Sequence, residues 1–338
     1  MKALVLEKID DLRIVEREVP LCDESEVLLK VSFCSLCRTD AKMWFQGQRD
    51  LVLPRVLGHE ICGQTPDSKK HFVVWPAQAC KKCPSCLAGV ENLCSTIEVM
   101  GFHRDGGFAE YIRVPKDSLI AVPAAVPPEI ACMTELVSVA VNAAEQVALQ
   151  EDQRVLIYGG GAAGLLLGLV CSYYGAAPLI LEKDSLKREK IRPFCNEAHL
   201  DLAEPDAAAD AAVDTIAAEF DVVINAAPDA QLFSEGLMRL KAGGTYCLFS
   251  GFIKNISFPS DLLNEVHYRQ LTLVGAYGST KRQMETALQI LAANAQTIGL
   301  LIQDIISLEQ VPMVLPEVLQ GQALKYVVDL HKGERFGN

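Results

Sequence analysis

The sequence has no excess of positive charge. Its 43 acidic residues outnumber its 31 basic residues, which gives a formal net charge of −12 at pH 7. A protein that binds the phosphates of nucleic acid needs a basic patch, so nucleic acid is not an expected partner. Hydrophobic residues make up 50% of the chain and charged residues 22%, a balance typical of a packed globular protein rather than a disordered one.

The N-terminal residues 1–8 also lack an apolar run of signal-peptide length. A longer stretch, 155–181, contains no charged residue, and a membrane-spanning helix needs roughly 20 such residues. Glycines interrupt this stretch between a short apolar run and a helical one, which indicates a buried strand, turn and helix instead. We therefore expect no contact with a membrane.

The length of 338 residues is sufficient for two domains. Residues 1–35 alternate apolar and polar positions between proline and acidic clusters, a pattern typical of short antiparallel strands. Beyond the prolines at 123–128, helical stretches alternate with short apolar strands, which predicts a doubly wound parallel sheet of the α/β class. Strands are predicted at 155–158, 179–181, 222–224, 245–249 and 271–274, and a surface helix with its loop at 201–219.

Four of the 12 cysteines follow the spacing Cys80-x2-Cys83-x2-Cys86-x7-Cys94. Four thiolates complete a tetrahedral zinc site, and a site closed by protein ligands is structural rather than catalytic. Disulfides are rare in reducing compartments, so this spacing favours metal and a cytoplasmic location. The alternative is a set of free or disulfide-bonded thiols.

A second group of possible metal ligands consists of Cys37 and His59, each closely followed by a carboxylate, Asp40 and Glu60. Thiolate and neutral imidazole both suit zinc. A carboxylate that accepts a hydrogen bond from a ligating histidine fixes the tautomer and orientation of its ring, a role open to Asp40. Alone, either ligand would be as well explained by burial in the core.

A catalytic zinc site needs a third protein ligand and an open position. Glu135 is the first candidate, Cys132 the second, and Glu60 lies beside the metal. An ordinary exposed helical carboxylate is the alternative interpretation of Glu135.

The stretch 159–164, Gly-Gly-Gly-Ala-Ala-Gly, satisfies G-x-G-x-x-G directly after a predicted strand. Such glycines permit a tight turn and the close approach of a pyrophosphate to a helix N-terminus, although they also serve tight strand–helix packing. Glu182 follows the next predicted strand, where an acidic group binds the ribose 2′-hydroxyl and repels a 2′-phosphate. This favours NAD over NADP, and the nearby Lys183, Lys187 and Arg188 weaken the preference.

Together these motifs resemble the zinc-containing medium-chain alcohol and polyol dehydrogenases, in particular the sorbitol and threonine dehydrogenase branch. The resemblance extends over nearly the whole chain. The residues that carry it are Cys37-Arg38-Thr39-Asp40, Gly58-His59-Glu60, the four clustered cysteines with Gly89 and Asn92, Gly107-Phe108-Ala109-Glu110-Tyr111, the glycine turn and the context of Glu135.

The resemblance implies a Rossmann doubly wound parallel sheet plus a GroES-like, mainly antiparallel β catalytic domain. The catalytic domain would comprise 1–132 and 273–338, with the dinucleotide-binding domain at 133–272. It also implies two zinc ions per chain, one structural and one catalytic. Cys37, His59 and either Glu135 or Glu60 would hold the catalytic zinc.

Further roles follow from the same resemblance. Thr39 would hydrogen-bond the substrate alcohol oxygen and pass on its proton, and Asp40 would support His59. Many alcohol dehydrogenases carry a histidine five residues after the catalytic cysteine, whereas this chain has Lys42. A lysine could relay the proton only with a lowered pKa, and otherwise solvent would take it. The residues implied at the cofactor are Arg38, Gly159, Gly161, Ala162, Ala163, Gly164, Glu182, Lys183 and Lys187.

The sequence thus predicts a zinc- and NAD-dependent dehydrogenase of a secondary alcohol, which would be a polyol, an aminocyclitol or a sugar-derived alcohol. The family commonly forms homodimers or homotetramers. One alternative is an NADPH-dependent carbonyl reductase of the same fold. Another is a non-catalytic nucleotide-binding or redox-sensing protein.

Overall fold

A computed structural model describes residues 1–204, 220–252 and 257–332. The chain divides into two compact units, one formed by Met1–Ser138 with Ser279–Asn338 and the other by Val139–Gly278. The predicted domain boundaries, at 132/133 and 272/273, fall near the two junctions. The assignment of a catalytic and a cofactor-binding domain to these boundaries stays a prediction.

The first part of the chain consists of short strands with few helices. Its elements are β1 (Lys2–Lys8), β2 (Asp11–Glu16), β3 (Glu26–Ser35), α1 (Arg38–Gln46), β4 (Arg55–Val56), β5 (Glu60–Gln64), β6 (His71–Val74), β7 (Ala77–Gln78), α2 (Pro84–Leu87), β8 (Glu98–Val99), β9 (Tyr111–Pro115), β10 (Leu119–Ala121) and α3 (Pro128–Ala131), with 3-10 turns at Glu91–Leu93 and Lys116–Ser118.

The middle of the chain alternates helix and strand. Its described elements are α4 (Thr134–Gln146), β11 (Arg154–Tyr158), α5 (Ala162–Tyr173), β12 (Ala177–Leu181), α6 (Ser185–Glu197), β13 (Asp201–Ala203), β14 (Phe220–Asn225), α7 (Gln231–Arg239), β15 (Leu240–Leu248), α8 (Ser260–Tyr268) and β16 (Thr272–Gly275). The last part contains α9 (Lys281–Ala293), α10 (Ala295–Gly299), β17 (Ile302–Ile306), a 3-10 turn at Leu308–Gln310, α11 (Val311–Gln320) and β18 (Lys325–Asp329).

The first unit is built on a mainly antiparallel sheet with the strand order β10-β6-β5-β3-β18-β17, to which β9 adds by pairing with β3. The strand β3 lies between β5 and β18, so Ser35 is opposite Glu60 on one side and Val327 on the other. This arrangement brings the end of the chain next to its N-terminal third. A smaller sheet, β2-β1-β4, and the ribbon β7-β8 complete the strand pairing described for this unit.

One apolar cluster fills the interior of the first unit. It joins side chains from β1, β3, β5, α11 and β18, among them the fully buried Leu4, Leu6, Val31, Ile61 and Val328. Because buried apolar area is the main favourable term in folding, this cluster holds the two distant parts of the chain together.

The second unit is a parallel sheet with the strand order β13-β12-β11-β14-β15-β16 among the described residues. The order reverses between β11 and β14, and dinucleotides bind beyond the carboxyl ends of the strands at such a reversal. The predicted doubly wound parallel sheet is therefore confirmed. Helix α5 follows β11 and precedes β12 in the chain, and most of its residues are buried.

Two expectations concern stretches within this unit. Residues 155–181 form β11, α5 and β12 as predicted, and no described helix is long and apolar enough to cross a membrane. The prediction of a helix at 201–219 is wrong for its first three residues. Asp201–Ala203 instead extends the sheet as β13, with Leu202 opposite Ile180. The remainder of that prediction, at 205–219, lies outside the described residues.

The glycine turn between β11 and α5 has two steric constraints. Gly159 has φ +101°, a conformation that side chains rarely adopt. A Cβ on Gly164 would lie 1.9 Å from the Gly159 carbonyl oxygen, whereas the nearest described atom to a Cβ on Gly161 would be Lys187 Nζ, at 3.9 Å.

We therefore predict that Gly164→Ala destabilises the second unit by about 2–3 kcal/mol, because the backbone of the turn must move. The matched Gly161→Ala variant should change stability by about 1 kcal/mol or less, since only a cap position is altered. Thermal and urea unfolding of the two variants beside wild type provide the comparison. Equal stability of the two variants would contradict the steric account.

Candidate metal and cofactor sites

The N-terminus of α1 positions the Cys37 thiol. Cys37 is the N-cap residue, and its sulfur accepts a hydrogen bond from the Thr39 backbone N–H at 3.5 Å. The Asp40 carboxylate in turn accepts from the Cys37 backbone N–H at 2.9 Å, so the two residues form a capping box. The thiol is thereby fixed at the positive end of a helix.

Asp40 connects this helix to the histidine. Its side chain is fully buried, and its second oxygen accepts from the Gly58 backbone N–H at 3.2 Å. The same oxygen lies 3.5 Å from His59 Nδ1. A single carboxylate therefore holds the loop before His59 and faces its ring. Among the described residues His59 Nδ1 has no hydrogen-bond partner, so the support of His59 by Asp40 stays a prediction.

Gly58 places His59 because nothing larger fits there. It has φ +92°, and a Cβ at this position would lie 2.8 Å from Cys34 Sγ. The chain then enters β5 with His59 buried directly before Glu60. Burial alone would lower the pKa of His59, but the negative charge of Asp40 beside it raises that pKa well above the usual value. The surroundings of this ring thus favour a positive charge.

Cys37, His59 and Glu60 form one of the two possible metal-binding groups among the described residues. Their sulfur, imidazole nitrogen and carboxylate oxygen all lie within 4.8 Å of one another. Thiolate, imidazole and carboxylate are the donors that zinc takes in catalytic sites, so the residues present fit this metal. Three protein ligands would leave a tetrahedral position for substrate.

Glu135 and Cys132 lie outside this trio. Desolvation raises the pKa of Glu135 to about 7, and the charges of His59 and Glu60 also act on it, so its carboxyl group is near the trio. Burial raises the pKa of the Cys132 thiol, with Glu60 as a further cause. Its sulfur donates to the Glu129 carbonyl oxygen at 3.2 Å. The choice of a third ligand among Glu60, Glu135 and Cys132 stays a prediction.

Sequence reasoning missed Lys325, the first residue of β18. Its ammonium lies 2.6 Å from both oxygens of the Glu60 carboxylate, and Ser35 donates its hydroxyl to the same group. Burial alone would lower the pKa of Lys325, but the Glu60 charge outweighs this and raises it. The one available signal was a lysine directly before the apolar strand at Tyr326-Val327-Val328.

Three further residues predicted for the site lie along α1. Thr39 and Lys42 are partly buried and one turn apart. Burial lowers the pKa of Lys42, and the neighbouring Arg38 guanidinium lowers it further. Arg38 donates to the Leu319 carbonyl oxygen at 3.1 Å. The catalytic roles of Thr39 and Lys42 and the cofactor role of Arg38 stay predictions.

The second possible metal-binding group is the four-cysteine lobe, comprising Cys80, Cys83, Cys86 and Cys94. The sulfurs of Cys83 and Cys86 are 3.5 Å apart, and those of Cys80 and Cys86 are 3.9 Å apart. Hydrogen bonds from backbone N–H groups, first that of Cys80, lower the pKa of Cys94 to about 6. Four thiolates fit zinc with no open position. No residue of α2, within this lobe, is buried, so a metal would substitute for a core.

The glycine turn of the second unit meets Glu182 at the end of β12. The Glu182 carboxylate accepts from the backbone N–H groups of Gly160, at 2.9 Å, and Asp184, at 3.1 Å. Lys187 Nζ lies 3.2 Å from it, while Lys183 faces Asp229 at 3.7 Å. Helix α5 begins at Ala162, and no side chain in the described part of the chain caps its N-terminus, which suits a pyrophosphate.

Known proteins resemble this chain in its sequence and in its fold. Residues 23–124 match the alcohol dehydrogenase GroES-like domain. The chain is 26% identical to L-galactonate-5-dehydrogenase of Escherichia coli over 89% of its own length and 90% of the relative. It is 29% identical to D-altritol 5-dehydrogenase of Agrobacterium fabrum, over 86% and 88% respectively. A structure from Sinorhizobium meliloti, described as a zinc-binding dehydrogenase bound to NADP, superposes with a TM-score of 0.86 at 26% identity, over 97% and 98%.

Over most of its length the chain is therefore similar to zinc-type alcohol and polyol dehydrogenases, and residues 23–124 match their GroES-like domain. The predicted combination of a GroES-like and a Rossmann domain is thereby confirmed, and so is the prediction of an NAD(P)-dependent dehydrogenase. In this family a nicotinamide cofactor performs the redox chemistry, while the protein supplies position and electrostatics.

We predict that Asp40→Asn destabilises the first unit by about 2 kcal/mol. One amide oxygen cannot accept from both the Cys37 and Gly58 N–H groups, so a buried donor loses its partner. Urea unfolding measures the effect. Asp67→Asn, at an exposed aspartate of the same unit, is the control and should match wild type. If both variants match wild type, Asp40 does not hold the two segments together.

Proposed function

We propose that this dehydrogenase oxidises a secondary alcohol of a polyol or sugar-derived substrate with NAD, and reduces the corresponding ketone in reverse. The observation that carries the proposal is the trio of Cys37, His59 and Glu60, whose ligand atoms lie within 4.8 Å of one another. The names of the relatives, L-galactonate-5-dehydrogenase and D-altritol 5-dehydrogenase, support a sugar-derived substrate.

The two units supply separate parts of this chemistry. In the first, Cys37 and His59 would hold a catalytic zinc together with Glu135 or Glu60, and the four-cysteine lobe would hold a second, structural zinc. A zinc ion acts as a Lewis acid that lowers the pKa of a hydroxyl group. In the second unit, Gly159, Gly161, Ala162, Ala163 and Gly164 would form the turn that holds the cofactor pyrophosphate.

A proton must leave the substrate hydroxyl as hydride leaves its carbon. Thr39 would pass this proton on, a role supported by its position in the first turn of α1, where its backbone N–H bonds the Cys37 thiol. Lys42 lies one helical turn further on, and burial lowers its pKa. A lysine with a lowered pKa is a better proton acceptor near neutral pH, which supports Lys42 as the outer end of the relay.

The preference for NAD over NADP would depend on Glu182. Its carboxylate is held in place by two backbone N–H groups, where it would face the ribose of a bound cofactor. A 2′-phosphate would be repelled by this carboxylate. Lys187 lies against the same carboxylate and reduces the repulsion. We further propose that Arg38, Lys183 and Lys187 contact the cofactor, and that the enzyme works in the cytoplasm as a homodimer or homotetramer.

Cys37→Ala should abolish NADH formation with every member of a panel of polyols, aminocyclitols, threonine and simple alcohols. It should also lower the zinc content from about two ions per chain to about one, since the four-cysteine lobe is untouched. Absorbance of NADH and elemental analysis measure the two effects.

Cys22→Ala, at an exposed cysteine of the same unit, is the matched control and should keep full turnover and zinc content. Full activity of Cys37→Ala would show that the catalytic assignment is wrong. A wild-type protein that binds cofactor but oxidises no alcohol would favour the non-catalytic alternative.

Glu182→Ala should raise the ratio of kcat/KM with NADP to that with NAD by at least about tenfold, because the repelling carboxylate is removed and Lys187 is released. Steady-state kinetics with both cofactors measure the ratio. Glu189→Ala, at an exposed glutamate of α6, should leave it unchanged. A wild-type preference for NADPH would instead support the carbonyl reductase alternative.

A further inference from the structure

A buried lysine neutralises one of the candidate metal ligands. The Lys325 ammonium contacts both oxygens of Glu60 at 2.6 Å, and the two side chains are only 3% and 0% exposed. Lys325 also donates to the Leu36 carbonyl oxygen at 3.3 Å, and Ser35 donates to Glu60. The Glu60 carboxylate is therefore already bound by an ammonium and a hydroxyl group of the protein.

The same carboxylate belongs to the trio with Cys37 and His59. A divalent ion bound there would place two positive charges close to the Lys325 ammonium. Charges in a poorly solvated interior interact far more strongly than in water. The lysine and a metal ion thus compete for the negative charge of Glu60.

The competition also has a consequence for the metal-free protein. A buried carboxylate with no partner is strongly destabilising, and removing one member of a buried ion pair leaves such a group. Without Lys325, Glu60 would face the Cys37 thiol and the nearby Glu135 without the ammonium that contacts both of its oxygens, and a bound metal would have to supply that charge beside the His59 ring. Lys325 therefore replaces part of the charge that a metal would supply.

We propose that Lys325 is a positioning residue that serves as a resident cation for Glu60. It keeps the metal-free centre folded and weakens the affinity of the centre for zinc. The inference rests on the proposed metal role of Cys37, His59 and Glu60. It explains why a strand far along the chain carries a buried lysine directly beside the trio.

Lys325→Met, which keeps length but removes charge, tests this in the full chain. In the chelator-treated protein, the variant should unfold about 10 °C below wild type. Its second zinc ion should bind at least about tenfold more tightly in competition with a chromophoric chelator, and added zinc should restore the unfolding temperature. A lysine that only filled space would, when replaced, leave zinc binding unchanged or weaker.

Two further proteins serve as controls. The double variant Glu60→Gln/Lys325→Met removes both charges, so its metal-free form should regain stability and its zinc affinity should not exceed that of wild type. Lys2→Met, which removes an exposed ion pair with Glu309, should behave as wild type. The four-cysteine lobe is common to all these proteins, so its own zinc ion contributes equally.

The possible outcomes distinguish a failure of the role proposed for Lys325 from a failure of the proposed metal centre. Zinc affinity in Lys325→Met that is equal to or lower than in wild type would overturn the role of Lys325 alone. A wild-type chain that binds one zinc ion instead of two would overturn the proposed catalytic metal centre, and the role of Lys325 with it. If Lys325→Met folds only in the presence of zinc, while the double variant folds without it, the resident-cation role is supported.

Discussion

The buried carboxylate of Asp40 is the interaction on which the candidate metal centre depends. One oxygen accepts from the N-cap of α1, and the other accepts from Gly58 and faces His59. Two segments separated by a loop are thereby held in a fixed relation. The thiol and the imidazole can then meet at one point because each belongs to a backbone that the same group restrains.

This arrangement shows how hydrogen bonding and charge act together. A carboxylate that only capped a helix could be exposed at modest cost, whereas Asp40 is fully buried and each of its oxygens accepts a backbone N–H bond. Buried polar groups must be paired, and a fully paired network specifies a single geometry. Catalytic centres require such restraint, because small displacements of a ligand change both metal binding and reactivity.

Much of this organisation could be predicted from the sequence because the relevant signals are local. The cysteine spacing at 80–94, the glycine turn at 159–164 and the acidic residue after the next strand each lie within one structural unit. The strand at Asp201–Ala203 was missed because an acidic, alanine-rich composition favours helix, while pairing with β12 decides the outcome.

The role of Lys325 could not be predicted, because it depends on an ion pair with Glu60, which lies on another strand. Glu60 and Lys325 meet only when β18 pairs with β3, and nothing near Lys325 in the sequence indicates that contact. Nor does the sequence decide the third ligand among Glu60, Glu135 and Cys132, since side-chain packing determines which of them can reach the metal. Local sequence patterns identify ligands with a characteristic spacing, such as the four clustered cysteines. Tertiary contacts determine the third ligand and the partner of Glu60.

The position of β18 has a consequence for biosynthesis. As the chain leaves the ribosome, β3 and β5 are made long before β18, so Glu60 spends most of translation without Lys325. Pairing of segments so distant in sequence is slow, and domains complete their folding only when all their strands are available. The buried pair of Glu60 and Lys325 can therefore form only after the intervening unit, Val139–Gly278, has been synthesised.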